Sequence, residues 1–128
     1  MSYYLAKTLS IPFAGAVARV TEALAAKGFG ILTTIDLQAT MKAKLGVDLR
    51  PYTILGACNP QFAYRALQSE NKIGTMLPCN VIIQEGADGA VEVAAVDPVA
   101  SMQAIDNPAL ASAAGEVRTL LAQVVDSL

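Results

Sequence analysis

Two short motifs contain the residues of this chain that are best suited to chemistry, and both pair a cysteine with an asparagine. The first is Cys58-Asn59 and the second is Cys79-Asn80, and each lies beside a proline. Cysteine thiolates are nucleophiles and metal ligands, while asparagine amides both donate and accept hydrogen bonds. Such a set is suited to holding a small ligand, to supplying part of a metal site, or to forming a reversible disulfide.

The local sequence predicts where each motif lies. Asn59-Pro60 is typical of a helix N-cap followed by the first helical residue, so Cys58 should end a strand directly before a helix. Free N–H groups at a helix N-terminus lower the pKa of a nearby thiol and can hold a small anion. Neighbouring strands lie about 4.8 Å apart, within disulfide range, so Cys79 meets Cys58 if their strands are adjacent. We therefore predict a ligand site at Cys58, Asn59, Cys79 and Asn80.

A purely structural interpretation stands beside this one. Free cysteine is among the most buried residue types and usually packs as a small hydrophobe. Helix capping alone accounts for Asn59-Pro60. Asn80 is harder to explain in this way, because asparagine is depleted in strands and needs a reason to be there.

The 128-residue chain contains no histidine, and this excludes several mechanisms. Ser-His-Asp and Cys-His catalysis are removed, together with nearly all catalytic zinc sites. The two cysteines cannot form a four-cysteine cluster within one chain. A metal site would need oxygen ligands or a second copy of the chain. The sequence therefore assigns no reaction, metal or cofactor.

The charges argue against nucleic-acid and membrane partners. The net charge is −2, and the nine lysines and arginines are spread along the chain without a cluster to neutralise phosphates. The apolar stretches are interrupted before the roughly 20 residues needed to span a bilayer. The N-terminal residues do not resemble a signal peptide, so we expect a cytoplasmic protein with reduced thiols.

The composition favours a homodimer. Hydrophobic residues make up 54% of the chain and charged residues only 16%, against a usual quarter. A small domain with so few charges must expose apolar surface or cover it with another copy, and large exposed apolar patches usually mark interfaces. Closed symmetric dimers are the commonest oligomers.

Hydrophobic periodicity predicts the elements that position the motifs. Strands are expected at residues 1–9, 29–35, 52–58, 79–85 and 90–96, and helices at about 13–27, 37–45, 61–70 and 107–128. A hairpin loop at 86–89 within this alternating order indicates a mixed or antiparallel sheet with helices on one face. Because no linker or repeat interrupts the pattern, we expect one α+β domain over residues 1–128.

At these two motifs the chain resembles the domain-of-unknown-function 302 family of small bacterial and archaeal proteins. The similarity runs over most of the chain and is carried by residues 52–60, Ala63, Ala66-Leu67, Ile73-Gly74, 76–81 and Asp97-Pro98. The resemblance implies a curved, mainly antiparallel sheet with helices on one face, grouped with the TATA-box-binding-protein-like folds, and it implies dimers. It implies no activity, so no catalytic residue is transferred.

Three functional hypotheses follow from these observations. The first is a dimeric module that binds a small ligand or metal near the two Cys-Asn motifs. The second is a structural or protein-interaction module without a small ligand. The third is a thiol redox or sulfur-carrier protein that uses Cys58 and Cys79.

Overall fold

A five-stranded antiparallel sheet organises the chain. In the computed structural model, which describes residues 2–128, the strand order is β1-β5-β4-β3-β2. The strands are β1 (Tyr4–Leu9), β2 (Gly30–Asp36), β3 (Tyr52–Cys58), β4 (Cys79–Glu85) and β5 (Val91–Val96). The helices are α1 (Phe13–Ala26), α2 (Leu37–Leu45), α3 (Pro60–Ser69), α4 (Pro98–Ser101) and α5 (Pro108–Asp126), with a 3-10 turn at Ile73–Met76. The predicted α+β class and antiparallel sheet are confirmed.

The predicted elements agree with the structure except at three places. The first strand begins at Tyr4 rather than earlier, and Met1 lies outside the described residues. The 3-10 turn and α4 were not predicted. Because α4 is only four residues long, it has no hydrophobic periodicity. It forms because the Asp97 side chain accepts hydrogen bonds from the N–H groups of Val99 and Ala100.

The connections bring the two cysteine motifs to one end of the sheet. The chain leaves β3, forms α3 and the 3-10 turn, and returns into β4 beside it. In the β3–β4 register, Ala57 pairs with Cys79 and Gly56 pairs with Asn80. The strand β5 ends near the same place, since Ala95 pairs with Val81.

The core lies between the sheet and the pair α1 and α5. Leu24 of α1 and Leu121 of α5 are fully buried against inward-facing strand residues such as Leu55 and Ile83. Burial of each such side chain stabilises the fold by about 1.5–3 kcal/mol. A smaller cluster joins α3, the 3-10 turn and α5, and it consists of Ala66, Ile73 and Leu110. No helix within residues 2–128 is long and apolar enough to cross a membrane.

Candidate functional site

A narrow apolar cavity lies at the end of the sheet where β3 ends and β4 begins. Its volume is about 40 Å³. Its walls come from β3, β4, α3, α4 and α5, together with the residue before β2. The largest side chains in these walls are Phe29, Phe62, Leu77, Met102 and Leu110. A space of this size exceeds the roughly 10–15 Å³ that one water needs, but its walls offer few polar partners to a water.

Three of the four predicted site residues line this cavity. Cys79 pairs with Ala57 across the β3–β4 ladder, and Cys58 is the next residue along β3. Asn59 follows at the N-cap of α3, and all three of Cys58, Asn59 and Cys79 contribute to the cavity wall. The structure therefore brings these three residues together, and their role in binding a ligand stays a prediction.

Cys79 is buried, and its environment keeps the thiol protonated. Burial in the apolar wall raises the pKa of the Cys79 thiol from 9.0 to about 11, and the nearby Cys58 contributes to the rise. Desolvation disfavours a thiolate, and a second negative charge close by disfavours it further. At neutral pH Cys79 is therefore a neutral thiol rather than a nucleophile.

Cys58 is more accessible than Cys79. It is half-buried, and no disulfide joins the two thiols. Cys58 lies two residues before α3, whose first N–H groups have no partner within the helix. The more reactive thiol of the pair is accordingly Cys58.

The Asn59 side chain is not used as a helix cap. Asn59 occupies the N-cap position of α3, yet its side chain makes no capping hydrogen bond. It lies instead beside Gly28, where an added Cβ would come within 3.2 Å of Asn59 Nδ2. Gly28 has a φ of +86°, a backbone conformation that favours glycine whatever side chains lie nearby. Because capping does not occupy this amide, the structural explanation for Asn59 is weakened.

Asn80 lies on the other face of the sheet. It pairs with Gly56, and its exposed side chain is absent from the cavity wall. Successive strand residues point to opposite faces, so Cys79 and Asn80 cannot enter the same cavity from one straight strand.

One residue near the site was not singled out from the sequence, namely Gly56. A Cβ there would clash with Thr33 Oγ1 and would lie 2.7 Å from Pro78 Cγ. The Pro78 ring thus packs directly on the backbone of β3. The available signal was a glycine inside a strand, which often marks a close approach of another group.

The acidic and thiol side chains do not assemble a metal cluster. Within residues 2–128, no three or more Cys, Asp or Glu side chains converge. The two thiols at the cavity would therefore need further ligands from elsewhere to complete a metal site.

Comparisons with known proteins agree with this architecture. A search of curated protein sequences finds no match to the chain. Among solved structures, the chain is similar to an uncharacterised conserved DUF302 protein from Bacillus stearothermophilus, known from its crystal structure. The two share 27% sequence identity, the match covers 98% of each chain, and the TM-score is 0.91. The model of the domain of unknown function DUF302 matches residues 5–128, so the chain belongs to the DUF302 family.

Proposed function

We propose that this protein is a single-domain, homodimeric module that binds a small ligand in the cavity beside Cys58, Asn59 and Cys79. The ligand is a small apolar molecule or the apolar end of a larger one. The observation that carries the proposal is an apolar cavity lined by Cys58, Asn59 and Cys79, and the Asn59 side chain does not cap its own helix.

The chemistry of the walls selects the ligand class. Small-molecule sites are mostly apolar and contain a few polar groups that fix orientation. Here the aromatic and aliphatic walls would hold the apolar part, and Asn59 is the lining residue whose side chain carries both a strong donor and a strong acceptor. The Cys58 thiol adds a weakly polar contact. A strongly charged ligand does not fit, because no charged side chain lines the cavity.

Ligand binding is favoured over redox chemistry because of the state of Cys79. Thiol–disulfide exchange starts from a thiolate, and burial lowers the fraction of Cys79 that is a thiolate. The same property weakens Cys79 as a metal ligand, since metals bind the thiolate. A redox pair stays the second candidate, because Cys58 is close enough to influence the titration of Cys79.

The homodimer is supported by composition, since only 16% of the residues are charged and 54% are hydrophobic. A chain of this composition has few charges with which to keep all of its surface solvated as a monomer. The structure leaves several large apolar side chains exposed, among them Tyr4, Leu32 and Ile35.

Xenon is a suitable first probe, because dry apolar cavities bind it. Methyl groups of Leu110 and Val117 should shift in NMR spectra of the dimeric full chain under xenon pressure. Ala63→Leu fills the cavity and should abolish the shifts. Ala25→Leu is the matched control, because Ala25 is exposed on α1 and outside the cavity wall. Equal shifts in Ala63→Leu, or none in the natural sequence, would contradict the proposed site.

Mass spectrometry of the purified, unreduced protein separates the two candidates. Added mass that disappears on denaturation supports a bound ligand. A loss of two hydrogen atoms per chain supports a Cys58–Cys79 disulfide and therefore the redox alternative.

A further inference from the structure

We propose that a second copy of this chain packs on the sheet face opposite α1 and α5, and that Asn80 belongs to this interface. We call this surface the open face. It is formed by the outward side chains of Tyr4, Ala6, Thr8, Thr33, Ile35, Tyr52, Ile54, Asn80, Ile82, Gln84, Glu92, Ala94 and Val96. The inference rests on the proposed homodimer and adds which surface forms it.

The open face lacks the charges of a solvated sheet. An antiparallel sheet with one wet side usually alternates apolar residues inward with polar residues outward. Here the outward side chains are mostly apolar or neutral, and Glu92 is the single charged residue among them. Tyr4 is 45% exposed and Ile35 is 43% exposed.

The edge strand β1 likewise lacks outward charges. Exposed edge strands are usually protected by charged residues, especially lysine. The one lysine of β1, Lys7, points to the helical side, where Nζ donates to the backbone oxygens of Asp126 and Leu128. The outward residues of β1, namely Tyr4, Ala6 and Thr8, are uncharged, so β1 brings no charge to the open face.

The total exposed area is larger than expected for a monomer of this mass. The accessible surface of the chain is 7232 Å². A monomer of 13.3 kDa is expected to expose about 6,450 Å², so the excess is about 780 Å². A standard protein interface buries about 800 Å² from each partner. The excess is thus close to the area that one partner copy would cover.

The polar groups of the open face suit a symmetric contact. Arg50 Nε donates to Gln84 Oε1 at 2.7 Å, and Gln84 Nε2 donates to Glu92 Oε1 at 3.0 Å. The Arg50 guanidinium also lies 5.3 Å from the Tyr52 ring centre. This chain of contacts links the one acidic residue to the Arg50 cation through Gln84, so charges of both signs lie at this face. Asn80 presents both a donor and an acceptor, which its equivalent in the second copy can satisfy.

The open face is also concave. A hollow of about 420 Å³ lies between the tyrosines 3, 4 and 52 and the neighbouring strand residues. The apolar floor of the hollow includes Ile82, Ala94 and Val96. The partner's tyrosines are the side chains that would fill it, because aromatic residues are enriched at interface centres.

Light scattering and sedimentation over a dilution series test the proposal. The natural chain should have about twice its monomer mass, and Ile82→Glu should weaken the dimer by more than about tenfold, because a charge would be buried at the interface. The matched control is Tyr64→Asp, since Tyr64 is 65% exposed on α3 in the helical layer. Circular dichroism shows whether each variant is folded.

A tryptophan reporter keeps the test decisive if Ile82→Glu fails to fold. The chain contains no tryptophan, so Tyr52→Trp places a single reporter on the open face. Its emission should shift to longer wavelength on dilution, at the concentration where the mass halves. Tyr64→Trp should not shift.

The outcomes separate this inference from the proposed homodimer. A natural chain that is monomeric at all concentrations overturns both. A dimer that resists Ile82→Glu and leaves the Tyr52→Trp emission unchanged overturns only the assignment of the face. A monomer whose reporter responds instead to an added small molecule would show a ligand site on this face and overturn the dimer interface.

Discussion

Arg118 Nε donates a hydrogen bond of 2.9 Å to Asp97 Oδ2, and this ion pair ties α5 to the end of β5. The other carboxylate oxygen of Asp97 accepts from the N–H groups of Val99 and Ala100 and so begins α4. Asp97 is only 7% exposed. One buried carboxylate therefore fixes three elements around the cavity, where Pro98 forms part of the wall.

Removing this carboxylate should destabilise the protein. We expect Asp97→Ala to lower the free energy of unfolding by about 2–4 kcal/mol, because it removes a helix cap and a charge-assisted hydrogen bond. Urea denaturation measures the change. Asp106→Ala is the control, and since Asp106 is exposed the expected change is within about 0.5 kcal/mol. Equal stability of the two variants would show that the ion pair and cap contribute little.

Gly56 should not tolerate a side chain. A Cβ there would lie 2.7 Å from Pro78 Cγ and would also clash with Thr33 Oγ1. We expect Gly56→Ala to cost about 1–3 kcal/mol, the usual range for overpacking. Gly30→Ala in the neighbouring strand is the matched control, because nothing lies within 4 Å of its added Cβ. Thermal denaturation compares the two, and a neutral Gly56→Ala would mean that Pro78 moves away at little cost.

The two thiols should differ in reactivity. Burial raises the pKa of Cys79 from 9.0 to about 11, which lowers its thiolate fraction at neutral pH about a hundredfold. Cys58 is half-buried, so iodoacetamide should modify Cys58 first and Cys79 only after unfolding. Peptide mass spectrometry of the natural chain and of Cys58→Ser gives both rates. Rapid native labelling of Cys79 in Cys58→Ser would contradict its burial.

Cys79 should also make stability depend on pH in the alkaline range. The folded pKa is raised above the unfolded value, so the contribution is fully present below about pH 9 and is lost as pH rises towards 11. The loss is about 2–3 kcal/mol when complete. Tyrosines and lysines titrate in the same window, so the measurement is the difference between the natural chain and Cys79→Ala. Cys58→Ala should retain most of the pH dependence, and an identical profile for Cys79→Ala would refute the assignment.

The sequence by itself determined most of the secondary structure and the antiparallel sheet. The helical stripe of α5 and the hairpin between β4 and β5 are local patterns, because periodicity and turn residues act over a few positions. The Asn59-Pro60 pair likewise marked the start of α3. The 3-10 turn and α4 were not predicted because each contains only four residues, too few for a hydrophobic period.

Tertiary structure decided how the motif residues are grouped. The β3–β4 register places Cys79 beside the end of β3, where Cys58 and Asn59 also contribute to the cavity wall, and it leaves Asn80 on the open face. A one-residue step along a strand reverses the side of the sheet, so proximity in sequence did not predict proximity in space. The free Asn59 amide and the raised pKa of Cys79 also depend on packing between distant segments, which no local pattern contains.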